Sequence, residues 1–352
     1  MLNVAFILPS LANRGPVLVA RDLSAELRKL GHSCTVFYFD QLEAIEFEVP
    51  VQQIVYKSKF DFSGFDIVHS HGLRPDRYVY KNRRSIAAVT LSTMHNIVIE
   101  EYRAVHSYLY AWLIQLLWTK SLKHHDALVC LNEEMKNYYL KFFKKKPITV
   151  VYNGRNITSG SDLPSADIEQ INQFKKNHVI IGSACLVTKR KGLHQIINAL
   201  PALPEMGFML IGEGPELQQL KEQARLLGVA DRCLFLGARL QASSYYRYFD
   251  LFVMASYAEG MPLALLEAAA MQIPAVCSNI AVLKEILTEE QTCFFELDDT
   301  GSLISAVKKL MAGSDGYATR IKALYDEKFT GRAMALNYQK VYQKLTTKTQ
   351  LI

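Results

Sequence analysis

Ala255-Ser256-Tyr257-Ala258-Glu259-Gly260-Met261-Pro262-Leu263-Ala264-Leu265-Leu266-Glu267-Ala268-Ala269-Ala270 is the stretch on which the reading of this chain turns. An apolar run, Leu251-Phe252-Val253-Met254, leads into it as a strand, and a short loop carrying a carboxylate and a glycine follows. Proline is best tolerated in the first turn of a helix, and strong helix formers follow Pro262, so a helix is predicted to start near that residue. Glu259 then stands just ahead of a helix N-terminus, where unpaired N–H groups and the helix dipole hold anions. Glu267 falls about one turn, or slightly more, into the helix. A carboxylate repels phosphate but accepts hydrogen bonds from hydroxyls. A nucleotide sugar offers hydroxyls on both sides of a diphosphate. Such a ligand suits the pattern, with the backbone amides of Gly260, Met261, Leu263 and Ala264 toward the diphosphate. Glu259 would take the hydroxyls of the sugar and Glu267 those of the ribose. An isolated pair of glutamates at this spacing is ordinarily a surface acid and an exposed helix position. The flanks argue against that account, because Glu267 lies among Leu265, Leu266, Ala268, Ala269 and Ala270, where a charge without a partner is costly.

The stretch resembles the E-x7-E signature of the retaining GT-B glycosyltransferases of family four, usually written E-G-F-G-L-x-x-L-E-A. Here it reads Glu259-Gly260-Met261-Pro262-Leu263-Ala264-Leu265-Leu266-Glu267-Ala268, followed by Gln272-Ile273-Pro274-Ala275-Val276. The resemblance implies an α/β chain of two facing, doubly wound, Rossmann-like domains with a cleft between them.

Bulk properties agree with that class. A chain of 352 residues is long enough for two domains. With 50% hydrophobic and 21% charged residues it has an ordinary globular balance, which excludes a disordered chain. A net charge of +6 suits an anionic ligand or an anionic membrane surface and argues only weakly for nucleic acid. The six cysteines, Cys34, Cys130, Cys185, Cys233, Cys277 and Cys293, include no C-x-x-C pair and each lies in or beside an apolar run. They read as reduced, packed thiols of a cytosolic protein. The N-terminus lacks a basic n-region and reads as a first strand, and no apolar run reaches the ~18–20 residues that span a bilayer.

In chain order, Val4 to Leu8 is a wholly apolar strand of the kind covered on both faces. A turn-rich loop follows, and helical periodicity runs from Val17 to Leu30, ending at Gly31 as C-cap. Cys34 to Phe39 is a second strand. Ligands of such sheets bind beyond the strand C-termini, and the resemblance implies two adjacent glycines in the first loop near the donor. Only Gly15 is present, beside Arg14, so both a donor contact and a plain strand-to-helix turn stay open. Ile67-Val68-His69-Ser70-His71-Gly72 and Thr90-Leu91-Ser92-Thr93-Met94-His95-Asn96 are strands ending in polar loops. His69 and His71 read as solvated loop histidines or as groups converging on a common edge. His95 matches the histidine that, in the resembled family, faces the donor sugar.

Ile97 to Lys123 is predicted as one aromatic helix, with Tyr102, Tyr108, Tyr110, Trp112 and Trp118 and a basic end. It is open to two accounts, a core helix or an interfacial one with tryptophans at headgroup level and lysines toward anionic lipid. Lys141-Phe142-Phe143-Lys144-Lys145-Lys146 is a second basic run. Asp126 to Asn132, a helix over Glu133 to Phe143, and Ile148 to Tyr152 close this half. Arg155 to Ala166, rich in Ser, Gly, Asp and Pro, reads as the linker.

The second half restarts with the strand Val179 to Val187 and a basic turn, Thr188-Lys189-Arg190-Lys191-Gly192, placed to neutralise a diphosphate. Lys191-Gly192 fits the K-G of the resembled family. The arginine that the family often carries six residues earlier is Cys185 here, which leaves Arg190 as a substitute or Lys191 acting alone. Phe208 to Ile211 leads into Gly212-Glu213-Gly214-Pro215, which lacks the nicotinamide fingerprint. Glycine lets backbone approach a ligand closely, and the resemblance implies that Gly212 and Gly214 lie near the donor. Cys233 to Gly237 is a strand whose next loop, with Arg239, would lie near the nucleotide base.

The expected organisation is an acceptor-binding domain over 1–165, a nucleotide-sugar domain over 166–328, and a terminal helix, 329–352, crossing back to the first. The resemblance implies a retaining glycosyltransferase that moves a hexose or N-acetylhexosamine from a nucleotide-diphosphate sugar, UDP-sugar over GDP-mannose. The acceptor would be a glycan hydroxyl, on a lipid-linked oligosaccharide of surface polysaccharide assembly, with the protein cytoplasmic and peripheral at the inner face of the membrane. His95, Lys191 and Glu259 form the expected catalytic set. No Asp-x-Asp motif is present, so no cofactor and no essential metal are expected, and no nucleic acid. Glu259 and Lys191 fall in loops, so alanine variants are expected to lose transfer and keep the fold. The alternatives are a non-catalytic nucleotide-sugar-binding protein on the same scaffold, or a nucleotide-sugar epimerase or hydrolase of related fold.

Overall fold

The computed structural model describes residues 1–43, 45–99, 107–157 and 163–349. Two compact units emerge, one formed by Met1–Asn156 with Lys328–Ile352 and the other by Ile157–Glu327.

The first unit alternates β1 (Asn3–Leu11), α1 (Gly15–Lys29), β2 (Ser33–Glu43), β3 (Val51–Gln53), β4 (Ile67–His71), α2 (Leu73–Asn82), β5 (Val89–Met94), α3 (Tyr108–Leu122), β6 (Ala127–Cys130), α4 (Glu133–Leu140) and β7 (Ile148–Val150). Its seven strands are parallel in the order β3-β2-β1-β4-β5-β6-β7. Strands β4, β5 and β6 are buried along their whole length, as expected for strands covered on both faces. Burial on both faces overturns the solvated reading of His69 and His71. Both lie inside β4 rather than in a loop, with no exposed surface.

The second unit runs α5 (Ser165–Lys175), β8 (Val179–Ala184), α6 (His194–Ala199), β9 (Met206–Ile211), α7 (Leu217–Leu226), β10 (Cys233–Gly237), β11 (Leu251–Met254), α8 (Leu263–Ala270), β12 (Ala275–Ser278), α9 (Ala281–Ile286), β13 (Thr292–Phe295), α10 (Thr300–Met311) and α11 (Ser314–Leu324). Its parallel sheet has the order β10-β9-β8-β11-β12-β13. Strand order reverses between β8 and β11, and between β1 and β4 in the first unit. Loops leaving the carboxyl ends of strands at such a reversal part to opposite sides and leave a crevice. Apolar side chains on one face of β8, β9 and β11 fill a core, including Ile181, Phe208, Leu210, Leu251 and Val253, each worth about 1.5–3 kcal/mol on full burial.

The chain then returns to the first unit as α12 (Gly331–Thr349), which packs on α1. Departure and return are fastened side by side. Arg155 and Thr330 form a parallel bridge, Arg155 pairs with the buried Asp22 of α1, and the Asn156 amide reaches Glu26 Oε1 at 2.9 Å. A Cβ on Gly154 would lie 2.1 Å from the Thr330 carbonyl oxygen, so only glycine admits this crossing. These ties set the division after Asn156, upstream of the 165 boundary read from composition.

The predicted helix over Ile97 to Lys123 falls partly outside the described residues, Tyr102 included, and its described part is α3. Trp118 is buried there and donates from Nε1 to Asp76 Oδ2 at 2.6 Å, so it cannot sit at a headgroup level, whereas Trp112 is exposed.

Candidate active site

In the second unit the basic turn after β8 and the loop after β11 meet at the strand reversal. Residues Lys189–Lys191 form a single 3-10 turn closed by Gly192 in the left-handed region, φ 60°. A Cβ there would lie 2.1 Å from the Ala255 carbonyl oxygen, so this glycine serves both the turn and a close approach of the two loops. The Tyr257 N–H donates to the Arg190 carbonyl at 2.8 Å, and Arg190 Nη1 donates to the Ala258 carbonyl at 2.6 Å. Gln195 Nε2 adds a bond to the Ala255 carbonyl at 3.0 Å.

Through this junction Lys191 Nζ reaches Glu259 Oε1 at 2.6 Å, and Arg190 Nη1 approaches Glu259 Oε2 at 3.4 Å. The Glu259 side chain retains 6% of its surface and that of Lys191 16%. Burial pushes the Glu259 carboxyl up, but the charges of Lys191 and Arg190 and hydrogen bonds from Lys191 and Ser256 outweigh it and hold the carboxyl below its usual range. Three consecutive cations against one carboxylate leave the loop pair positive. The pair also ties the two loops together, so truncation of either member carries a cost in stability that its loop position alone conceals.

Helix α8 opens beside this pair. Pro262 occupies the N-cap, and the first helical bond runs from the Leu265 N–H to the Pro262 carbonyl. The N–H groups of Leu263 and Ala264 therefore lie ahead of the helix's own bonds. Gly260 and Met261 are buried in the turn before them. Glu267 sits in α8 at 9% exposure, between buried Leu266 and Ala268. A hollow of about 20 Å³ lined by Ser183, Cys185, Lys191, Met254, Ser256 and Ala264 separates the ends of β8 and β11.

Cys185 stands in that hollow. Burial raises its thiol to about 11, so it is neutral at physiological pH and supplies no positive charge; Lys191 and Arg190 are the cations of this corner. Gly212 and Gly214 are explained by packing. A Cβ on them would lie 1.9 Å from the Cys185 carbonyl oxygen and 2.2 Å from that of Val187, where Val187 N–H bonds to the Glu213 carbonyl. Arg239 is engaged elsewhere: its guanidinium clasps Asp167 at the start of α5 at 2.7 and 2.8 Å, with the Tyr245 hydroxyl on the same carboxylate. The hydrogen bonds it donates to Asp167 raise the Arg239 pKa further.

In the first unit Gly15 is the first residue of α1, with Pro16 behind it, and the helix runs Gly15–Lys29 rather than from Val17. His95 follows β5 directly. The register pairs His69 with Leu91 and His71 with Thr93, so the two-residue period of a strand puts His69, His71, Thr93 and His95 on one face. There His71 Nδ1 meets His95 Nε2 at 2.9 Å, and His69 bridges Thr93 Oγ1 at 2.7 Å and the Tyr342 hydroxyl of α12 at 2.8 Å. Thr93 also meets the Tyr338 hydroxyl at 2.8 Å. Burial lowers all three imidazoles, His95 to about 3, so they are neutral. The opposite face carries Ser70, which donates to Asp76 Oδ1 at 2.6 Å and lies 3.0 Å from His125 Nε2. Burial raises Asp76 to about 6 and lowers His125 to about 3. Ser70, Asp76 and His125 have the composition of a hydrolytic triad, but none of them reaches solvent, so they hold α2 and α3 to the sheet. Among the described residues no group of three or more His, Cys, Asp or Glu could hold a metal ion.

Residues 14–159 match the family model of Glycosyltransferase Family 4, and residues 165–325 that of Glycosyl transferases group 1. The O-antigen biosynthesis glycosyltransferase WclY of Escherichia coli is 26% identical over 98% of this chain and 99% of its own. The UDP-Gal:alpha-D-GlcNAc-diphosphoundecaprenol alpha-1,3-galactosyltransferase of Escherichia coli is 26% identical over 70% of this chain and 66% of its own. Among solved structures, sucrose-phosphate synthase from Thermosynechococcus elongatus superposes with a TM-score of 0.81 at 17% identity, covering 99% of this chain and 100% of that one. HepE of Anabaena, in complex with UDP and glucose, gives a TM-score of 0.79 at 16% identity, covering 98% and 100%.

Proposed function

The chain is a glycosyltransferase of the GT-B fold, with a Family 4 domain ahead of a group 1 domain, and on that premise we propose that it is a retaining enzyme using a UDP-sugar. It moves a hexose or N-acetylhexosamine to a hydroxyl of a lipid-linked oligosaccharide in surface polysaccharide assembly. The observation that carries this reading is the Lys191–Glu259 pair beside the N-terminus of α8. Lys191, Arg190 and the N–H groups of Leu263 and Ala264 stabilise the negative charge that grows on the departing diphosphate. Glu259, kept ionised by the two cations, accepts hydrogen bonds from the sugar, and Glu267 from the ribose. An oxygen of the departing phosphate takes the acceptor's proton, so no side-chain base and no metal ion are required. The name of the galactosyltransferase relative, which carries UDP-Gal and a diphosphoundecaprenol acceptor, supports both the donor and the acceptor class. WclY, named for O-antigen biosynthesis, supports the same class, and HepE in complex with UDP and glucose supports a UDP donor.

The same reading has the enzyme working in the cytoplasm, at the inner face of the membrane. Among the described residues no helix is long and apolar enough to cross a bilayer. Helix α3, however, exposes Leu109, Leu113, Leu116 and Leu117 together with Trp112, while it buries Gln115, Thr119 and Ser121 beside Ala111, Trp118 and Leu122. An apolar stripe of that size, ending at exposed Lys120 and Lys123, suits the boundary of an anionic bilayer. One assay addresses both parts. Radiolabelled UDP-hexose or GDP-mannose is offered with a diphosphate-linked lipid glycan in anionic or zwitterionic vesicles. Transfer from UDP-hexose is expected, faster on the anionic vesicles. Transfer from GDP-mannose alone overturns the donor, and equal rates on both vesicles overturn the membrane contact.

A further inference from the structure

His71 and His95 share one hydrogen bond, at 2.9 Å between His71 Nδ1 and His95 Nε2, and that bond constrains both rings. A neutral imidazole carries a single N–H, on one nitrogen or the other. His71 has no exposed surface, and its Nε2 has no hydrogen-bond partner among the described residues. Phe6 and His69 flank the ring, with centroids 5.9 and 4.3 Å away. If the proton sat on Nε2, a donor would be buried with nothing to receive it, and orphaned buried N–H groups are rare and costly. With the proton on Nδ1, the unpartnered atom is only a lone pair. His71 Nδ1–H therefore donates, His95 Nε2 accepts, and the one proton of neutral His95 is on Nδ1. Protonating His95 at Nε2 would bring two N–H groups together, or force the His71 proton onto its orphaned nitrogen.

We propose that His71 is a positioning residue that locks His95 in the neutral Nδ1–H tautomer, so that His95 serves the transfer as a hydrogen-bond donor to a substrate oxygen and not as a proton acceptor. The substrate half of this statement rests on the sugar-transfer reading above, whereas the lock does not. Free imidazole favours the opposite tautomer, so the lock leaves a signature that needs no substrate.

Long-range proton–nitrogen NMR on protein labelled with ¹⁵N-histidine reads the tautomer of each ring directly. In the unaltered protein His95 is expected to show a protonated Nδ1 and a bare Nε2 from about pH 7.5 to about pH 5. His71→Asn keeps a donor near the place of Nδ1 and should preserve that pattern. His71→Phe fills the space without a donor and should release His95 toward the Nε2–H form, with kcat falling about tenfold and KM little changed. An Nε2–H pattern in the unaltered protein overturns the proposal, and so does a His95 pattern identical in His71→Phe. His95→Asn, whose amide mimics an Nδ1–H donor, should retain more transfer than His95→Gln, which mimics Nε2. With the lock observed, equal transfer by these two variants would overturn the substrate contact alone.

Discussion

The two units place polar groups at the carboxyl edges of similar parallel sheets by opposite means. In the first, imidazole, hydroxyl and phenol groups are buried by giving up ionisation: Tyr342, His69, Thr93 and Tyr338 form one hydrogen-bonded row of neutral groups, and His71 and His95 a second pair beside it. In the second, charge is kept and matched, Glu259 against Lys191 and Arg190, and Asp167 against Arg239. Neutral donors and acceptors suit hydroxyl groups, whereas a surplus of matched cations suits phosphate. The division of labour proposed above, acceptor on the first unit and nucleotide sugar on the second, would follow from how each unit handles burial.

The largest effect that bears on this contrast is expected from Lys191→Ala and Glu259→Ala. Each should lower transfer by about a thousandfold, because charge stabilisation in a nearly dry site is lost. Each should also lower the stability of the second unit by about 2–4 kcal/mol, since a charged partner is left buried. Steady-state transfer and denaturant unfolding measure the two losses. Near-normal turnover in either variant would break the assignment of the site.

Acid should separate the units next. His69, His71, His95 and His125 have values depressed by burial, so their stability contribution is present above about pH 6.5 and lost as pH falls below it. Each contributes up to about 1.4 kcal/mol per pH unit. Asp76, raised to about 6, works in the opposite sense and offsets roughly one of the four. Glu259 is depressed, and its contribution is lost only as pH falls below its ordinary 4.5. Between pH 6.5 and 5.5 the amides of β4, β5 and α12 should lose roughly 3 kcal/mol of hydrogen-exchange protection, with β8 and β11 nearly unchanged. Equal losses in both units would remove the contrast.

The smallest effect sharpens it. Arg239→Lys cannot keep both bonds to Asp167 and should lower the stability of the second unit by about 1 kcal/mol, allowing for partial exposure of the arginine. The KM for the UDP-sugar should stay within about twofold, because the guanidinium serves Asp167. A tenfold rise in KM would return Arg239 to the nucleotide.

The alternation of apolar runs and amphipathic helices was legible residue by residue, because buried parallel strands such as Val4–Leu8 and Leu251–Met254 carry no polar interruption. The glutamate pair was legible from its local spacing. The partnership of Lys191 with Glu259 was not, because it joins residues 68 apart and exists only where β8 and β11 become neighbours. His69 and His71 read as loop residues, since two histidines and a serine end their strand. Their burial comes from a strand covered on both faces, and the partner of His69 there, Tyr342, lies 273 residues away. Helix α3 was legible as apolar and aromatic, yet no local pattern tells that Trp118 faces Asp76 while Trp112 faces out.

The bridge between Arg155 and Thr330 has a consequence for synthesis. The second unit interrupts the first, so the nascent protein leaves the ribosome with the first unit's sheet before the helix α12 that packs on it. All of Ile157–Glu327 must be translated before Tyr338 and Tyr342 emerge. At about 5–20 residues per second that interval is on the order of ten seconds or more. Throughout it His69 and Thr93 lie on an uncovered sheet face beside Phe6, while the second unit, contiguous in sequence, can complete itself. A chaperone that shields nascent chains should therefore bind the first unit for longer than its size alone would suggest, and release it once α12 has emerged.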